Sequence, residues 1–117
     1  MANLATLLVN SARRGGDRLA VRQDKNVLSY AQLDDASARV ATLLHGEGVQ
    51  PGDRVALVMP NVTDFPVVYY GILRAGGVVV PVNPLLKARE IAFTLRDSGA
   101  RLVVTFPLCA DEVAQAA

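Results

Sequence analysis

The alternation of strand-like and helix-like segments between Arg54 and Phe106 limits the possible folds more than any other feature of the sequence. Three short apolar runs, RVALVM, VVVPV and RLVVTF, are separated by two segments whose apolar residues recur at helical spacing. Each helical segment is long enough to return the chain to the same end of a sheet, so parallel strands with right-handed connections are expected. The sequence therefore predicts an α/β fold, with a parallel β-α-β-α-β sheet covered by helices.

The residues before this unit predict two helices and a pair of short strands. Apolar residues within 4–12 fall on one helical face, and two strand-like runs flank a polar turn at residues 24–26. Ser29 and Gln32 have the spacing of a capping box, in which each side chain accepts a hydrogen bond from a backbone N–H of the other residue. The helix that follows is predicted to bury Leu33, Ala36, Val40, Leu43 and Leu44.

The first crossover helix is predicted to begin near Asn61 and to end at Gly76. Thr63 is favoured over Asn61 as its N-cap, because Pro66 is tolerated only within the first helical turn. Gly76 is expected to take a left-handed conformation, so that the next strand starts directly behind the helix. The buried face of this helix is predicted to consist of Phe65, Val68, Tyr69 and Ile72.

The second crossover helix is predicted to end at Gly99 and to bury three apolar residues, Ile91, Ala92 and Leu95. After the third strand, Asp111 and Glu112 stand in the first turn of a further helix, where acidic residues favour the helix dipole. This helix reaches Ala117 without a cap. We therefore expect residues 1–117 to be part of a longer domain.

Composition and charge argue against several classes of protein. Twelve basic residues stand against eleven acidic ones, with no basic stripe that would indicate nucleic acid. The one cysteine, Cys109, excludes an internal disulfide and a multi-cysteine metal site, which favours a cytoplasmic location. The apolar run at residues 65–86 has Arg74 as its one charge, but glycines and prolines interrupt it. It predicts a buried helix and strand and no membrane span.

Few residues have the spacing of a catalytic or phosphate site. No G-x-x-x-x-G-K loop is present, and GEGVQP follows a helix and precedes a strand, the reverse of a dinucleotide site. His45 stands in the last turn of a helix, where the exposed backbone carbonyls stabilise a cation or a hydrogen-bond donor. Asp34 and Asp35 are adjacent and point to different sides, which predicts solvated surface charges. Lys87 is predicted to be a solvated loop residue.

Two asparagines mark the candidate site of this sequence. Asn61 follows the run RVALVM and Asn83 follows VVVPV, and ligands of open α/β sheets collect at the carboxyl ends of the strands. Helix capping by Asn61 and turn formation by Asn83 are the favoured alternatives. Beyond these two pocket positions, no catalytic, nucleotide-binding or metal-binding residue is predicted.

Several segments together resemble the beginning of the adenylate-forming acyl-CoA synthetases. They occur in family order between Leu28 and Val104: LSYAQL, GVQPGDRVAL, MPN, ILRAGGVVVPVNP and LRDSGARLVV. The family includes fatty-acid–CoA ligases, coumarate–CoA ligases, luciferases and the adenylation domains of peptide synthetases. The stretch VPVNPLLKAREI is most similar to the fatty-acyl–CoA ligases.

The resemblance implies that the chain is the N-terminal fragment of an AMP-binding domain, without the catalytic portion and the C-terminal domain. The parent enzyme would use ATP, Mg and coenzyme A to convert a carboxylic acid, here a fatty acid, into its thioester. The family's phosphate loop, nucleotide-binding residues and catalytic lysine lie downstream of the matched stretch. The 117-residue chain is therefore expected to bind none of these cofactors and to be inactive by itself.

Two alternatives to this interpretation remain at the level of sequence. The first is a stand-alone, non-catalytic α/β binding or interaction module. The second is a flavodoxin-like or receiver-like domain, although ALVMPN lacks the acidic residues with which a receiver holds its metal. A sheet with unpaired edges seeks a partner, so we expect the chain to self-associate through its third strand or through residues 111–117.

Overall fold

Helices and strands alternate along the chain in the computed structural model, which describes residues 5–15, 19–23, 26–60, 62–105 and 109–116. In order, the elements are α1 (Ala5–Gly15), β1 (Leu19–Gln23), β2 (Asn26–Ser29), α2 (Tyr30–Gly46), β3 (Arg54–Val58), α3 (Asp64–Arg74), β4 (Val78–Val82), α4 (Ala88–Ser98), β5 (Leu102–Thr105) and α5 (Ala110–Ala116). Leu4 and the turn residues Asp24 and Lys25 lie outside the described residues.

The central sheet has three parallel strands in the order β4-β3-β5. Leu57 of β3 pairs with Pro81 on one side and with Val104 on the other, which sets the register of all three strands. Strands β1 and β2 form a separate antiparallel pair. The predicted parallel β-α-β-α-β sheet is therefore confirmed, whereas the handedness of its connections stays a prediction.

Strand β3 lies between two hydrophobic cores because its side chains alternate between the faces of the sheet. Val55 and Leu57 point into a core formed with α2 and α3, and Ala56 and Val58 point into a second core formed with α4 and α5. All four side chains are fully buried. The continuous apolar run of this strand is what a strand covered on both faces requires.

Helices α2 and α3 pack closely against each other. Gly71 of α3 faces Val40 and Ser37 of α2, and a Cβ at position 71 would lie 2.6 Å from the Val40 Cβ. The buried residues of α2 are Leu33, Ser37, Ala41 and Leu44. Leu43 is 69% exposed, so its prediction as a core residue was wrong. It stands about 100° around the helix from Leu44, just outside the stripe that faces the sheet.

The helix ends largely follow the sequence-based predictions. Ser29 and Gln32 form the capping box at the start of α2, with N–H···O distances of 2.9 and 3.2 Å. Gly76, with φ +85°, follows α3, and the Gly77 N–H donates to the Ile72 carbonyl at 2.9 Å. This bond and the one from the Gly76 N–H to the Leu73 carbonyl, 3.0 Å, form a Schellman motif.

Helix α3 begins as predicted but is not capped as predicted. Thr63 occupies the cap position, yet its backbone is helical and its side chain makes no capping hydrogen bond. Asp64 in the first turn instead brings a negative charge to the helix N-terminus. The predicted buried face is confirmed: Val68 and Ile72 are buried, and the half-buried Phe65 and Tyr69 pack against the same core.

Helix α5 is docked against α4 and the sheet. Val113 and Cys109 are buried in the second core, and the Glu112 carboxylate accepts a 2.8 Å hydrogen bond from the Ala88 N–H at the start of α4. None of the helices in the described part of the chain is long and apolar enough to cross a membrane. The apolar run at residues 65–86 is divided between α3, β4 and the loop that follows.

Candidate functional site

The carboxyl end of the parallel sheet is the position where the sequence placed its two candidate residues. Asn83 directly follows β4 and is exposed; its Oδ1 accepts a 2.9 Å hydrogen bond from the Leu85 N–H, and its carbonyl accepts one from the Leu86 N–H. This is an Asx turn that leads the chain towards α4. Asn61 lies outside the described residues. A ligand pocket that includes Asn61 and Asn83 therefore stays a prediction.

Charged side chains gather at the opposite, amino-terminal end of the sheet. The Asp53 carboxylate accepts from the Gln50 N–H at 2.8 Å and pairs with the Arg101 guanidinium at 3.3 Å. Arg54 donates to the Ser98 carbonyl at 2.8 Å. Each of these groups ties a loop to the sheet, and together they form a structural cluster at the end of the sheet where ligands of this fold class do not collect.

The adjacent carboxylates of α2 have different roles. Asp35 pairs with Arg39 one turn later, at 2.9 Å, and both side chains are 71% exposed, as a surface pair is expected to be. Asp34 instead pairs with Arg74 of α3, and the Arg74 Nη1 also reaches the Asp34 carbonyl at 3.4 Å. Asp34 is partly buried by this contact. Its prediction as a solvated charge was wrong, because its ion-pair partner stands forty positions away in the sequence.

The other residues of potentially reactive types, His45, Lys87 and Cys109, also occupy structural positions. His45 Nε2 lies 3.3 Å from the Ala75 carbonyl oxygen, so the imidazole joins the ends of α2 and α3. Lys87 is an exposed loop residue, and its backbone N–H donates to the Glu90 carboxylate at 3.2 Å. Cys109 is a buried free cysteine. Within the described ranges, no group of three or more His, Cys, Asp or Glu side chains could hold a metal ion.

Two shallow grooves run along α4, one on each side of the helix. The first has a volume of about 470 Å³ and is lined by Leu86, Arg89, Glu90, Phe93, Thr94 and Arg96. The second, about 500 Å³, is lined by Ala92, Leu95, Arg96, Gly99, Ala100 and Ala116. Phe93 is 65% exposed in the first groove. This residue was not predicted from the sequence, although an aromatic residue among charged positions of a helix indicates an exposed apolar side chain.

Comparison with known proteins identifies the family to which this α/β chain belongs. Residues 8–117 match the family model described as AMP-binding enzyme. The chain is 42% identical over 104 residues to the long-chain-fatty-acid–CoA ligase of Yersinia pestis, and 35% identical over 105 residues to that of Bacillus subtilis. These matches cover 88% and 90% of this chain. The protein belongs to the AMP-binding enzyme family.

Solved structures agree with this assignment. A benzoate CoA ligase from Burkholderia xenovorans matches 99% of the chain with a TM-score of 0.92 and 31% identity. The N-terminal domain of FACL13 from Mycobacterium tuberculosis matches 97% of the chain with a TM-score of 0.91 and 34% identity. The resemblance noted in the sequence is confirmed, and the family replaces the flavodoxin-like or receiver-like alternative.

The chain corresponds to a limited part of these relatives. It spans 18% of the length of the Yersinia ligase and 19% of the Bacillus ligase. It covers 24% of the solved benzoate ligase chain and 29% of the solved FACL13 domain. The described residues therefore supply a scaffold shared with the relatives.

Proposed function

We propose that this chain is the N-terminal scaffold of an ATP-dependent acid–thiol ligase whose substrate is a fatty acid. Residues 1–117 would be the first part of its AMP-binding domain. The observation that carries the proposal is the identity of 42% to a long-chain-fatty-acid–CoA ligase over most of the chain. The identity of 35% to the long-chain-fatty-acid–CoA ligase of Bacillus subtilis also supports a fatty acid as the substrate.

The proposed reaction has two steps and takes place in the cytoplasm. In the first, a carboxylate oxygen of the acid attacks the α-phosphorus of ATP and pyrophosphate leaves, which forms an acyl-adenylate. In the second, the thiol of coenzyme A attacks the acyl carbon, loses its proton, and displaces AMP. The described residues do not fit a magnesium site, since the carboxylates near the sheet are engaged in ion pairs or helix capping.

In this proposal the chain by itself is inactive. The charged groups of the described residues tie helices and loops together, as Asp34 does with Arg74 and Asp53 with Arg101. The grooves beside α4 are shallow, and the charged residues that line them are Arg89, Glu90 and Arg96. The groups that bind ATP and coenzyme A would belong to other parts of the ligase.

The product of the complete reading frame tests the proposed reaction. With ATP, coenzyme A and hexadecanoate, it is expected to release one AMP and one pyrophosphate for each thioester formed, and to use benzoate with a lower kcat/KM. A product that consumes no ATP with any carboxylic acid contradicts the proposal. A reading frame that ends at residue 117 contradicts it too, and favours a stand-alone binding module.

The 117-residue chain serves as the control in the same assays. Folded chain, checked by circular dichroism, is expected to show no saturable ATP binding by calorimetry at sub-millimolar concentration and no pyrophosphate exchange. Saturable binding would mean that a nucleotide site lies within residues 1–117.

We also propose that the 117-residue chain self-associates in solution. Among the described residues, β4 and β5 are the edge strands of the central sheet, and unpaired sheet edges favour pairing with another chain. Of the two interfaces that the sequence suggested, the helix α5 already buries Val113 within its own fold. Sedimentation at micromolar concentration measures the mass, and a compact monomer that binds no hydrophobic dye contradicts this proposal.

A further inference from the structure

Helix α4 exposes an aromatic side chain on the surface that faces away from the sheet. Phe93 is 65% exposed, whereas Ile91 is buried in the second core and Leu95 packs against that core. Leu86, just before the helix, lines the same groove as Phe93. The outer side of α4 therefore carries an apolar patch that its own fold does not cover, and such patches often mark binding surfaces.

Four charged residues flank Phe93 along the helix, and their signs are separated. At about 100° per residue, Arg89 and Arg96 lie roughly 40° to 60° to one side of Phe93, and Glu90 and Asp97 lie roughly 40° to 60° to the other side. All four are exposed. These five residues, which we call the α4 stripe, thus form a positive edge, an aromatic centre and a negative edge.

The charges of the α4 stripe have no opposite charge within reach on their own helix. Ion pairs along a helix join residues three or four positions apart, and no opposite charges within α4 have that spacing. In the described part of the chain, the side chains of Arg89, Arg96 and Asp97 make no hydrogen bond or ion pair. The Glu90 carboxylate accepts only from the Lys87 N–H, at 3.2 Å. These charges are therefore available to a partner.

The arrangement of signs indicates what kind of partner fits. Two positive and two negative charges cancel, so the stripe does not favour a strongly acidic or a strongly basic partner. A matching surface needs a negative edge opposite the arginines, an apolar centre, and a positive edge opposite the acidic residues. A second α4 that lies alongside in the same direction has this order, because a two-fold axis parallel to the helices exchanges their edges. In an antiparallel pair, arginines would meet arginines.

We propose that the α4 stripe is a self-recognition surface, on which α4 of a second copy of this chain pairs in parallel orientation. The proposal rests on the self-association proposed above and assigns it to a helix rather than to a sheet edge. Phe93 of each copy would meet its counterpart at the two-fold axis. Arg89 would face Glu90 of the other copy, and Arg96 would face Asp97. Because each contact occurs twice, the dimer gains four ion pairs around an apolar centre.

The size of this contact predicts a weak dimer. The eleven residues of α4 rise about 16 Å, so the pair buries less surface than a standard stable interface. Exposed ion pairs contribute little to affinity, and their main effect is on the orientation of the partners. The burial of Phe93 is therefore expected to supply most of the binding free energy.

Removal of the aromatic centre is the first test. Phe93→Ala is expected to raise the dimer dissociation constant at least tenfold, because the apolar group is lost from both copies. Leu43→Ala on α2 is the matched control, since Leu43 is 69% exposed and lies outside the stripe. It is expected to leave the constant unchanged. Sedimentation at up to about 500 μM measures both values, and circular dichroism checks that the variants are folded.

Charge reversal tests the orientation. Arg96→Glu turns two attractive pairs into repulsive ones and is expected to raise the dissociation constant at least fivefold, as is Asp97→Arg. The double variant with both changes restores opposite charges and is expected to return the constant to within about twofold of the unaltered chain. Arg39→Glu on α2, which changes the net charge equally, is the control and is expected to have no effect. Tighter association of Arg96→Glu would indicate an antiparallel pair and overturns the proposal.

The other outcomes separate this surface from the other proposals. Self-association that is unchanged in folded Phe93→Ala overturns the α4 surface but leaves self-association itself in place. If that variant instead destabilises the product of the complete reading frame, another part of the ligase covers Phe93. A chain that is monomeric at all concentrations overturns both the surface and the self-association. None of these results bears on the ligase activity, which is measured separately.

Discussion

On one face of the sheet α2 and α3 lie so close that Gly71 has no room for a side chain, whereas on the other face α4 has an open groove on each side. On the first face, the partly buried ion pair of Asp34 and Arg74 also connects α2 to α3. On the second face, Glu112 links α5 to the start of α4, and Phe93 remains exposed. The comparison indicates that the α2–α3 face is more tightly packed than the α4–α5 face.

The largest expected effect comes from matched isoleucines in the two cores. Ile72 of α3 and Ile91 of α4 are both fully buried. Ile72→Ala is expected to lower the free energy of unfolding by about 4 kcal/mol and Ile91→Ala by about 2 to 3 kcal/mol, because a cavity beside an open groove collapses more easily. Urea denaturation measures both values. A larger loss for Ile91→Ala would mean that the comparison of the two faces is wrong.

Gly71→Ala tests the close contact of α2 and α3 directly. The new methyl would meet Val40 and the Ser37 carbonyl, so the free energy of unfolding is expected to fall by about 2 kcal/mol, although alanine is the better helix former. Gly46→Ala is the matched control, because no atom lies within 4 Å of a Cβ at the end of α2. Chemical denaturation of both variants is the measurement, and equal stability would refute the contact.

Gly76→Val probes the turn between α3 and β4. A β-branched residue at φ +85° is strained, and its Cβ would lie 3.2 Å from the Pro51 Cα, so a loss of about 1 to 2 kcal/mol is expected. Asp35→Ala, on the exposed face of α2, is expected to change stability by less than about 0.5 kcal/mol. Thermal unfolding midpoints compare the two variants, and equal midpoints would contradict the role assigned to Gly76.

The smallest expected difference lies between the two carboxylates of α2. Asp34→Asn weakens a partly buried ion pair and is expected to cost about 1 kcal/mol, while Asp35→Asn weakens an exposed pair and is expected to cost about 0.3 kcal/mol. Denaturation in low and in high salt checks the assignment, because salt screens an exposed pair more strongly than a buried one. Identical losses with identical salt dependence would remove this distinction between the two carboxylates.

Local features of the fold were predictable from the sequence because their causes lie within a few residues. The capping box of Ser29 and Gln32 and the positive φ of Gly76 depend on hydrogen bonds and sterics that span one helical turn. The apolar period likewise predicted each strand and helix of the β-α-β-α-β unit. The candidate site was less predictable: Asn83 is turn-forming, and Asn61 lies outside the described residues.

Errors in the sequence-based predictions occurred where distant segments meet. Leu43 fits an apolar stripe equally well as its neighbour, and only the direction in which α2 docks decides that Leu44 is buried and Leu43 exposed. Asp34 was expected to be solvated because its partner, Arg74, belongs to another helix. The need for glycine at position 71 is explained only by the proximity of Val40 of α2.

The sequence by itself determined the order and type of the elements, the helix ends and the family, because periodicity, capping and motif order are properties of neighbouring residues. The tertiary structure decided the strand order β4-β3-β5, the division into two cores, and which carboxylate is buried. The physical reason is that burial and pairing depend on which surfaces meet in space, and many three-dimensional arrangements share the same local pattern.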